Sequence, residues 1–275
     1  MSALRGVSSL KGFATRVVTA GGVGVVMLTA IFFGRPLGLG IVLSAIAMLA
    51  VAELYSFTRR EHRLPNEVFG VLAAGAMPIS AAVAGRLGLM AALTVLVVAS
   101  LVWHVMFRQI KTADTAVTVF GAVYVGFLLA HFVLVRQLES GVLFALATIL
   151  SVWANDVFAY LVGSTMGRHK MAPRVSPHKS WEGFAAGTLF TVLVWAALAL
   201  LPENALALPV LIGIGLAISI AAVIGDLIES RLKREAGVKD SGSVLPGHGG
   251  FLDRFDSLIL VSVVAYYLLI LAGIR

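Results

Sequence analysis

Long apolar runs separated by short polar segments dominate this chain. Each run is close to the roughly 20 residues that an α-helix needs to cross a hydrocarbon core of about 30 Å. We therefore predict an all-α polytopic membrane protein with about nine transmembrane helices. The nine predicted spans are residues 17–33, 38–55, 68–85, 87–107, 116–135, 142–163, 183–201, 207–229 and 256–273.

We expect a single integral membrane domain over residues 1–275, with spans one to five within 1–141 and spans six to nine within 142–275. Two polar connections, at 164–182 and 230–255, interrupt the second group. The connection between spans three and four is predicted to be a tight turn around Gly85 and Arg86.

The first 16 residues alternate apolar and basic positions, which predicts a short basic interfacial helix leading into the first span. A cleaved signal peptide is the alternative. It is disfavoured because no small-residue cleavage site follows the apolar stretch.

Composition supports the membrane class. The chain is 59% hydrophobic and only 13% charged, with a mean hydropathy of +0.98, which is too apolar for a soluble globule. The absence of cysteine excludes disulfides, thiolate catalysis and Cys-ligated metal sites. A net charge of +7 carried in short loops favours an anionic lipid surface or an anionic substrate over nucleic acid.

The distribution of Lys and Arg predicts the orientation, because these residues concentrate in cytoplasmic loops. With the N-terminus inside, all but four of the 21 basic residues lie in cytoplasmic segments. The four exceptions are Arg35, Arg86, Arg136 and Arg275. We therefore expect a multi-pass protein of the cell inner (cytoplasmic) membrane, with the N-terminus in the cytoplasm and the C-terminus outside.

Carboxylates gather at the cytoplasmic ends of three spans. Asp156 lies near the end of span six and Asp226 near the end of span eight, while Asp253 and Asp256 share one face at the start of span nine. Acids at one depth on separate helices favour a shared site for a hard cation such as Mg²⁺. The alternative is that each acid pairs with a nearby Arg or Lys. Glu53, also at a cytoplasmic helix end, stands alone and is interpreted as interfacial.

Two polar stretches carry candidate phosphate-binding chemistry. Residues 230–256 combine five basic and four acidic residues with a glycine-rich turn at 246–250, and residues 167–183 carry four cations with Ser176 and Ser180. Cations neutralise phosphate oxygens, and glycines let backbone amides approach them. A basic loop that only binds lipid headgroups is the alternative for residues 167–183. His248 lies between glycines, which suits either a ligand contact or a hydrogen bond that stabilises the turn.

The pattern of fixed positions in residues 230–256 resembles the signature of phosphatidate cytidylyltransferases, the CDP-diacylglycerol synthases. The matching positions are Ser230-x-Leu-Lys-Arg234, Lys239-Asp240, Gly242, Leu245-Pro246, His248-Gly-Gly-Phe251 and Asp253-Arg-Phe-Asp256. The resemblance extends upstream to 225–226 and 167–183, and covers roughly the C-terminal half. It departs from the family at Val157 and Phe158, where small residues are usual, and this predicts a less close backbone approach to a ligand beside Asp156.

The resemblance implies transfer of the cytidylyl group of CTP to phosphatidic acid at the inner leaflet, with a divalent cation and a homodimeric enzyme. It implies metal ligation by Asp156, Asp226, Asp253 and Asp256. Phosphate contacts are implied for Lys179, Lys233, Arg234 and Lys239. Further substrate contacts are implied for Ser176, Ser230, Asp240, Gly249, Gly250 and Arg254. Catalytic roles are implied for Asp226, Asp253, Asp256, Lys233, Arg234, Lys239 and His248.

Three other functions stay open at this point. A CTP-dependent transferase or kinase could act on another membrane lipid, such as a polyprenol or an ether lipid. An ion-coupled transporter would also carry intramembrane acids, but at mid-bilayer depth and on both sides. A scaffold protein would have no use for a glycine-flanked histidine beside paired aspartates.

Overall fold

The computed structural model describes residues 21–59, 66–239, 241–242 and 250–275. It is an all-α membrane protein with one short β-hairpin, as the apolar pattern predicts. The helices are α1 (Gly21–Phe32), α2 (Arg35–Thr58), α3 (Glu67–Met106), α4 (Thr112–Gly121), α5 (Leu128–Gln137), α6 (Gly141–Met166), α7 (Trp181–Ala197), α8 (Leu208–Glu235) and α9 (Leu252–Leu271). The interfacial helix predicted for the first 16 residues lies outside the described residues.

Within the described part of the chain, seven helical segments are long and apolar enough to cross a membrane, and α1 is a shorter apolar helix. Large apolar side chains such as Val83, Leu87 and Val105 are exposed on these helices. Such faces are stable against lipid, where every backbone polar group is bonded within the helix. The polytopic all-α prediction is confirmed, whereas the count of nine spans and the orientation of the termini stay predictions.

Helix α3 reverses direction in its middle. Its 40 residues would extend for about 60 Å as one straight helix, twice the hydrocarbon thickness. Helical geometry breaks at Ala84 and Gly85, where Gly85 has φ +57° and ψ −141°, a conformation that favours glycine. Phe69 near the start and Trp103 near the end line one small pocket, so the two halves run side by side. The break falls at the predicted turn between spans three and four.

Helices α4 and α5 are joined by a π-helical segment, Ala122–Phe127, so that Thr112–Gln137 forms one apolar rod. The buried hydroxyl of Tyr55 on α2 donates to the carbonyl oxygen of Thr118 on α4 at 2.6 Å. π-Helical turns are rare and are often found at functional sites. This one carries Tyr124, which is buried.

The helices pack in antiparallel neighbours, with α2 against α3, α6 against α7 and α8 against α9. Helix α5 packs against both α3 and α9, so one continuous apolar core joins the N-terminal and C-terminal helices. The two strands, β1 (Lys170–Ala172) and β2 (Ser176–Ser180), pair antiparallel between α6 and α7. This arrangement places the hairpin over the ends of α6 and α8.

Candidate functional site

A cleft of about 630 Å³ opens between α6, the hairpin, the start of α7 and α8. Its size falls in the range of small-molecule sites. Polar groups on three separate elements face it, so the folded chain creates a site that no single loop contains. Its polar and charged lining residues include Asn155, Asp156, Ser164, Lys170, Ser176, His178, Lys179 and Asp226.

Asp226 forms both an ion pair and a hydrogen bond in the cleft. One of its oxygens lies 2.7 Å from the ammonium of Lys179, at the end of β2, and the other accepts a hydrogen bond from the Ser230 hydroxyl at 3.2 Å. Both members of the ion pair remain partly exposed to the cleft, with 23% and 33% of their side chains accessible. A cation and a carboxylate are thus held together at a surface that a ligand can reach.

Asp156 and Asp226 line the same cleft, and the backbone carbonyl of Asp256 packs closely against Gly225, the residue before Asp226. Asp256 is almost fully buried. Like charges in a poorly solvated place repel one another unless cations compensate them. The structure therefore places three of the four predicted metal ligands at or next to this cleft.

Asp253, the fourth predicted ligand, has other partners. One oxygen lies 2.6 Å from the ammonium of Lys233, and the other accepts from the Ser241 amide (3.0 Å), the Ser241 hydroxyl (2.9 Å) and the Gly250 amide (2.9 Å). Lys233 also pairs with the buried Glu229 at 2.6 Å. Asp253 thus ties the end of α8 to the connection that precedes α9, and its metal-ligand role stays a prediction.

Within the described residues, no three His, Asp or Glu side chains are arranged to hold a metal ion. Mg²⁺ is commonly held by only one or two carboxylates, with water and substrate phosphates completing its shell. The oxygen-only donors Asp226, Asp256 and Asp156 fit a cation of that kind. These carboxylates do not by themselves form a complete set of metal ligands.

The hairpin that carries Lys179 is fixed to α7 by Glu182. Its carboxylate accepts from the His169 ring nitrogen Nδ1 at 2.6 Å and from the amides of Arg168 and His169 at 3.2 Å. Ser180 caps α7, because its hydroxyl accepts from the Gly183 amide at 3.2 Å. These bonds set the position of Ser176 and Lys179 over the cleft.

The other predicted phosphate contacts lie at the edge of this region. Arg234 donates from Nε to the Val175 carbonyl in the hairpin turn at 3.4 Å, and Lys239 is exposed. Arg254 is exposed and interacts electrostatically with Asp156. Three predicted site residues, Asp240, His248 and Gly249, lie outside the described residues.

Two functional candidates were missed by sequence reasoning. Tyr124 in the π-helical segment is buried within electrostatic range of Asp256, Glu229 and Asp226, and its hydroxyl has no hydrogen-bond partner among the described residues. No signal in the sequence distinguishes this tyrosine from an interfacial one.

The interpretation of Glu53 as interfacial was wrong, because Glu53 is buried and hydrogen bonded to the start of α9. The sequence did offer a signal for Glu53, because an acidic residue at the end of an apolar run costs free energy unless it has a partner.

The bulky pair Val157 and Phe158 does not obstruct the cleft. The cleft is lined by Asp156 and by residues one turn further along α6, whereas Phe158 stacks on Phe190 of α7. Residues 157 and 158 thus lie on another face of the helix. Their effect on how closely the backbone approaches a ligand beside Asp156 stays a prediction.

Below the cleft, a buried polar chain joins three helices. The Ser219 hydroxyl on α8 donates to Asn155 Oδ1 on α6 at 3.2 Å and lies 2.7 Å from the Thr188 hydroxyl on α7. Gly187 permits this contact, because a Cβ there would lie 2.7 Å from Asn155 Oδ1. Interhelical hydrogen bonds and small residues of this kind stabilise membrane helix bundles.

We expect Gly187→Ala to lower the free energy of unfolding by about 1–3 kcal/mol, because the added methyl group has no room. Gly213→Ala in α8 is the matched control, since nothing lies within 4 Å of its Cβ position. Thermal unfolding of both purified variants in one detergent checks this. Equal melting temperatures for the two variants would show that the α6–α7 contact is not tight.

The fold and the cleft define a polytopic membrane protein that presents a lysine and clustered carboxylates to a ligand. A model of the cytidylyltransferase family matches residues 14–272. The chain therefore belongs to the cytidylyltransferase family, and the family resemblance inferred from residues 230–256, 225–226 and 167–183 is confirmed.

Individual relatives are similar over about half of the chain. The chain is 39% identical to the phosphatidate cytidylyltransferase of Bacillus subtilis (strain 168) over 151 residues, which is 54% of this chain and 56% of that protein. It is 41% identical to the phosphatidate cytidylyltransferase of Staphylococcus aureus (strain COL) over 157 residues, which is 57% of this chain and 60% of that protein. The matched part thus spans somewhat more than half the length of these curated relatives.

Proposed function

We propose that this protein transfers the cytidylyl group of CTP to phosphatidic acid, giving CDP-diacylglycerol and pyrophosphate. The observation that carries the proposal is the Asp226–Lys179 pair in a cleft at the ends of membrane-crossing helices. The similarity to proteins named phosphatidate cytidylyltransferase supports the choice of substrates. The cleft suits a substrate whose phosphate lies at the membrane surface while its acyl chains stay in lipid.

In the proposed reaction, a phosphate oxygen of phosphatidic acid attacks the α-phosphorus of CTP. The new P–O bond forms as the bond from the α-phosphorus to the bridging oxygen breaks, and pyrophosphate leaves with that oxygen and its electron pair. No protein nucleophile is needed, so the protein acts by positioning both phosphates and by compensating charge.

Lys179 would bind phosphate oxygens, since its ammonium faces the cleft beside Ser176. Lys170 and His178 line the same wall and would extend this surface. In the proposal, Lys179 exchanges part of its contact with Asp226 for a phosphate when substrate binds. A compact ammonium suits this exchange, because its three donors can serve two acceptors.

Asp226 and Asp256, with Asp156 beside them, would hold a divalent cation such as Mg²⁺, which when bound supplies further positive charge at the phosphate oxygens. Asp253 has a different part in the proposal, because its oxygens accept from Lys233, Ser241 and Gly250. It anchors the connection before α9, so that Asp256 stays beside Asp226.

The proposed active site faces the cytoplasm, where CTP is available, at the inner leaflet of the cell inner membrane. The excess of basic residues in the segments predicted to be cytoplasmic supports this orientation. Homodimerisation, which the family resemblance implies, stays a prediction.

The proposal is tested by supplying purified protein in mixed micelles with CTP, Mg²⁺ and one lipid acceptor at a time. We expect a CDP-lipid with phosphatidic acid and none with diacylglycerol, which lacks the attacking phosphate. A polyprenol or an ether lipid without a phosphate should also give no product. Phosphorylation of any of these acceptors, with no CDP-lipid from phosphatidic acid, would establish a CTP-dependent kinase instead.

A further inference from the structure

Glu53 of α2 is a buried carboxylate that lies outside the cleft and is used by no step above. Only 5% of the residue is exposed. Oε1 accepts from the Phe251 amide at 3.0 Å, and Oε2 accepts from the Leu252 amide at 3.0 Å and the Ser241 hydroxyl at 3.1 Å. A helix in the N-terminal half is thus hydrogen bonded to the start of α9, almost 200 residues further along the chain.

These bonds cap α9 from another helix. The first amides of a helix have no partner within the helix, and a nearby negative charge is favourable there. The N-cap residue of α9 is Phe251, whose side chain cannot accept a hydrogen bond. Glu53 provides both the acceptor oxygens and the charge, so the position of α9 depends on α2.

Two glycines let the chain close around this carboxylate. A Cβ on Gly242 would lie 2.8 Å from Glu53 Oε1, and its three nearest atoms would all belong to Glu53. A Cβ on Gly250 would overlap both the Glu53 carboxylate and the Ser241 hydroxyl. Glycine is therefore needed at positions 242 and 250 for Glu53 to occupy this place.

The contact leads directly to the carboxylates of the site. The Ser241 hydroxyl lies 3.1 Å from Glu53 Oε2 and 2.9 Å from Asp253 Oδ2, so its one proton is shared between the two carboxylates. The backbone amides of Ser241 and Gly250 both donate to Asp253. Asp256 follows one turn later on α9, where its carbonyl oxygen packs against Gly225 of α8, next to Asp226, and the Ser257 hydroxyl donates to the Ala222 carbonyl of α8 at 3.1 Å. A shift of the start of α9 therefore moves Asp253 and Asp256 together.

We propose that Glu53 is a positioning residue for cytidylyl transfer, which holds the start of α9 so that Asp256 stays beside Asp226. The inference rests on the proposed function, because its readout is that activity. Glu53 touches neither phosphate in this account. It acts through Ser241, the α9 amides and the aspartates that follow them.

Glu53→Gln tests the inference with a side chain of the same size. In glutamine an NH₂ group replaces one carboxylate oxygen. This group is a donor, so it cannot accept the hydrogen bonds that the N–H and O–H groups around it donate. We expect kcat per folded molecule to fall about 10–100-fold, because small displacements of reacting groups have effects of this size. The KM for CTP should change less, since Lys179 and Ser176 keep their places. Glu203→Gln, at an exposed glutamate, is the matched control and should retain wild-type kcat.

A second test uses Gly242. Gly242→Ala should lower kcat as Glu53→Ala does, because the methyl group displaces the same carboxylate. In the double variant Glu53→Ala/Gly242→Ala the methyl group has room, so its kcat should be no lower than that of Glu53→Ala alone. Losses that multiply in the double variant would show that the two residues act independently and would overturn the proposal.

Two further results would also overturn it. One is a wild-type kcat in Glu53→Gln, and the other is a lower melting temperature with kcat per folded molecule unchanged, which would indicate a purely structural role. If Glu53→Gln does not fold, the comparison of Gly242→Ala with the double variant decides. Failure of the wild-type protein to make CDP-lipid is a separate outcome, because it would contradict the proposed function and not the contact.

Discussion

Replacing Asp226 by Asn is expected to lower the rate of cytidylyl transfer about 10³-fold, by analogy with the loss of a preorganised charged or polar group in other active sites. The change removes the charge that holds Lys179 at 2.7 Å and a carboxylate proposed to bind the cation. The protein should still fold, because the side chain is one-third exposed and Asn can still accept from Ser230. The measurement is the initial rate of CDP-lipid formation with CTP and phosphatidic acid.

Glu235→Gln is the matched control, at the C-terminal end of the same helix. Glu235 forms an exposed ion pair with Arg231 at 2.7 Å, a type of contact that contributes little. The activity of the Glu235→Gln variant should stay within about twofold of wild type, as expected for the loss of a surface ion pair. An Asp226→Asn variant as active as Glu235→Gln would remove Asp226 from the proposed site.

The largest expected effect on stability is that of Lys233→Met. The Lys233 ammonium lies 2.6 Å from both Glu229 and Asp253, whose side chains are only 1% and 11% exposed. Methionine keeps the unbranched apolar chain but leaves two buried carboxylates without their cation. Breaking a buried ion pair in this way typically costs about 3–5 kcal/mol, and we expect a loss of that size in denaturant unfolding of the purified protein.

A second substitution separates charge from packing. Glu229→Gln in the Lys233→Met background removes one of the unpaired charges, so it should recover part of the lost stability. Arg231→Met, at the exposed pair on the same helix, should change the free energy of unfolding by less than about 1 kcal/mol. If the double variant is less stable than Lys233→Met, repulsion between Glu229 and Asp253 is not the cause of the loss.

The helices were predictable because their signal is local. A run of apolar residues identifies a membrane helix by its length alone. The reversal within α3 was also predictable, since Gly85 and Arg86 interrupt an apolar run too long for one span. The π-helical segment at Ala122–Phe127 was not, because nothing in its apolar sequence separates it from an α-helix.

The site was predictable in part. Asp156, Asp226, Asp253 and Asp256 were grouped from their predicted depth in the membrane. The structure places Asp156 and Asp226 in one cleft and packs the Asp256 backbone against Gly225. The pairing of Asp226 with Lys179 depends on how the hairpin lies over α8, which residue spacing does not specify. Asp253 was assigned to a metal and Lys233 to phosphate, but the structure pairs the two side chains with each other at 2.6 Å.

Glu53 shows why an isolated acid is hard to interpret from sequence. Its partners Ser241, Phe251 and Leu252 lie 188 to 199 residues away, and two of the three bonds are to backbone amides. Backbone amides are present at every non-proline position and leave no pattern in the sequence. Gly250 was expected to contact substrate and Gly242 was only a position of the family pattern, while the structure places Glu53 against both glycines.

The central claim is that the α-phosphorus of CTP is the centre attacked by the lipid. It is tested most directly by incubating the wild-type protein with phosphatidic acid, Mg²⁺ and CTP labelled with ³²P at either the α or the γ position. The account predicts that the α label enters the lipid fraction while the γ label is released as pyrophosphate. Transfer of the γ label to lipid, or the absence of either label from the lipid fraction with folded protein, would contradict it.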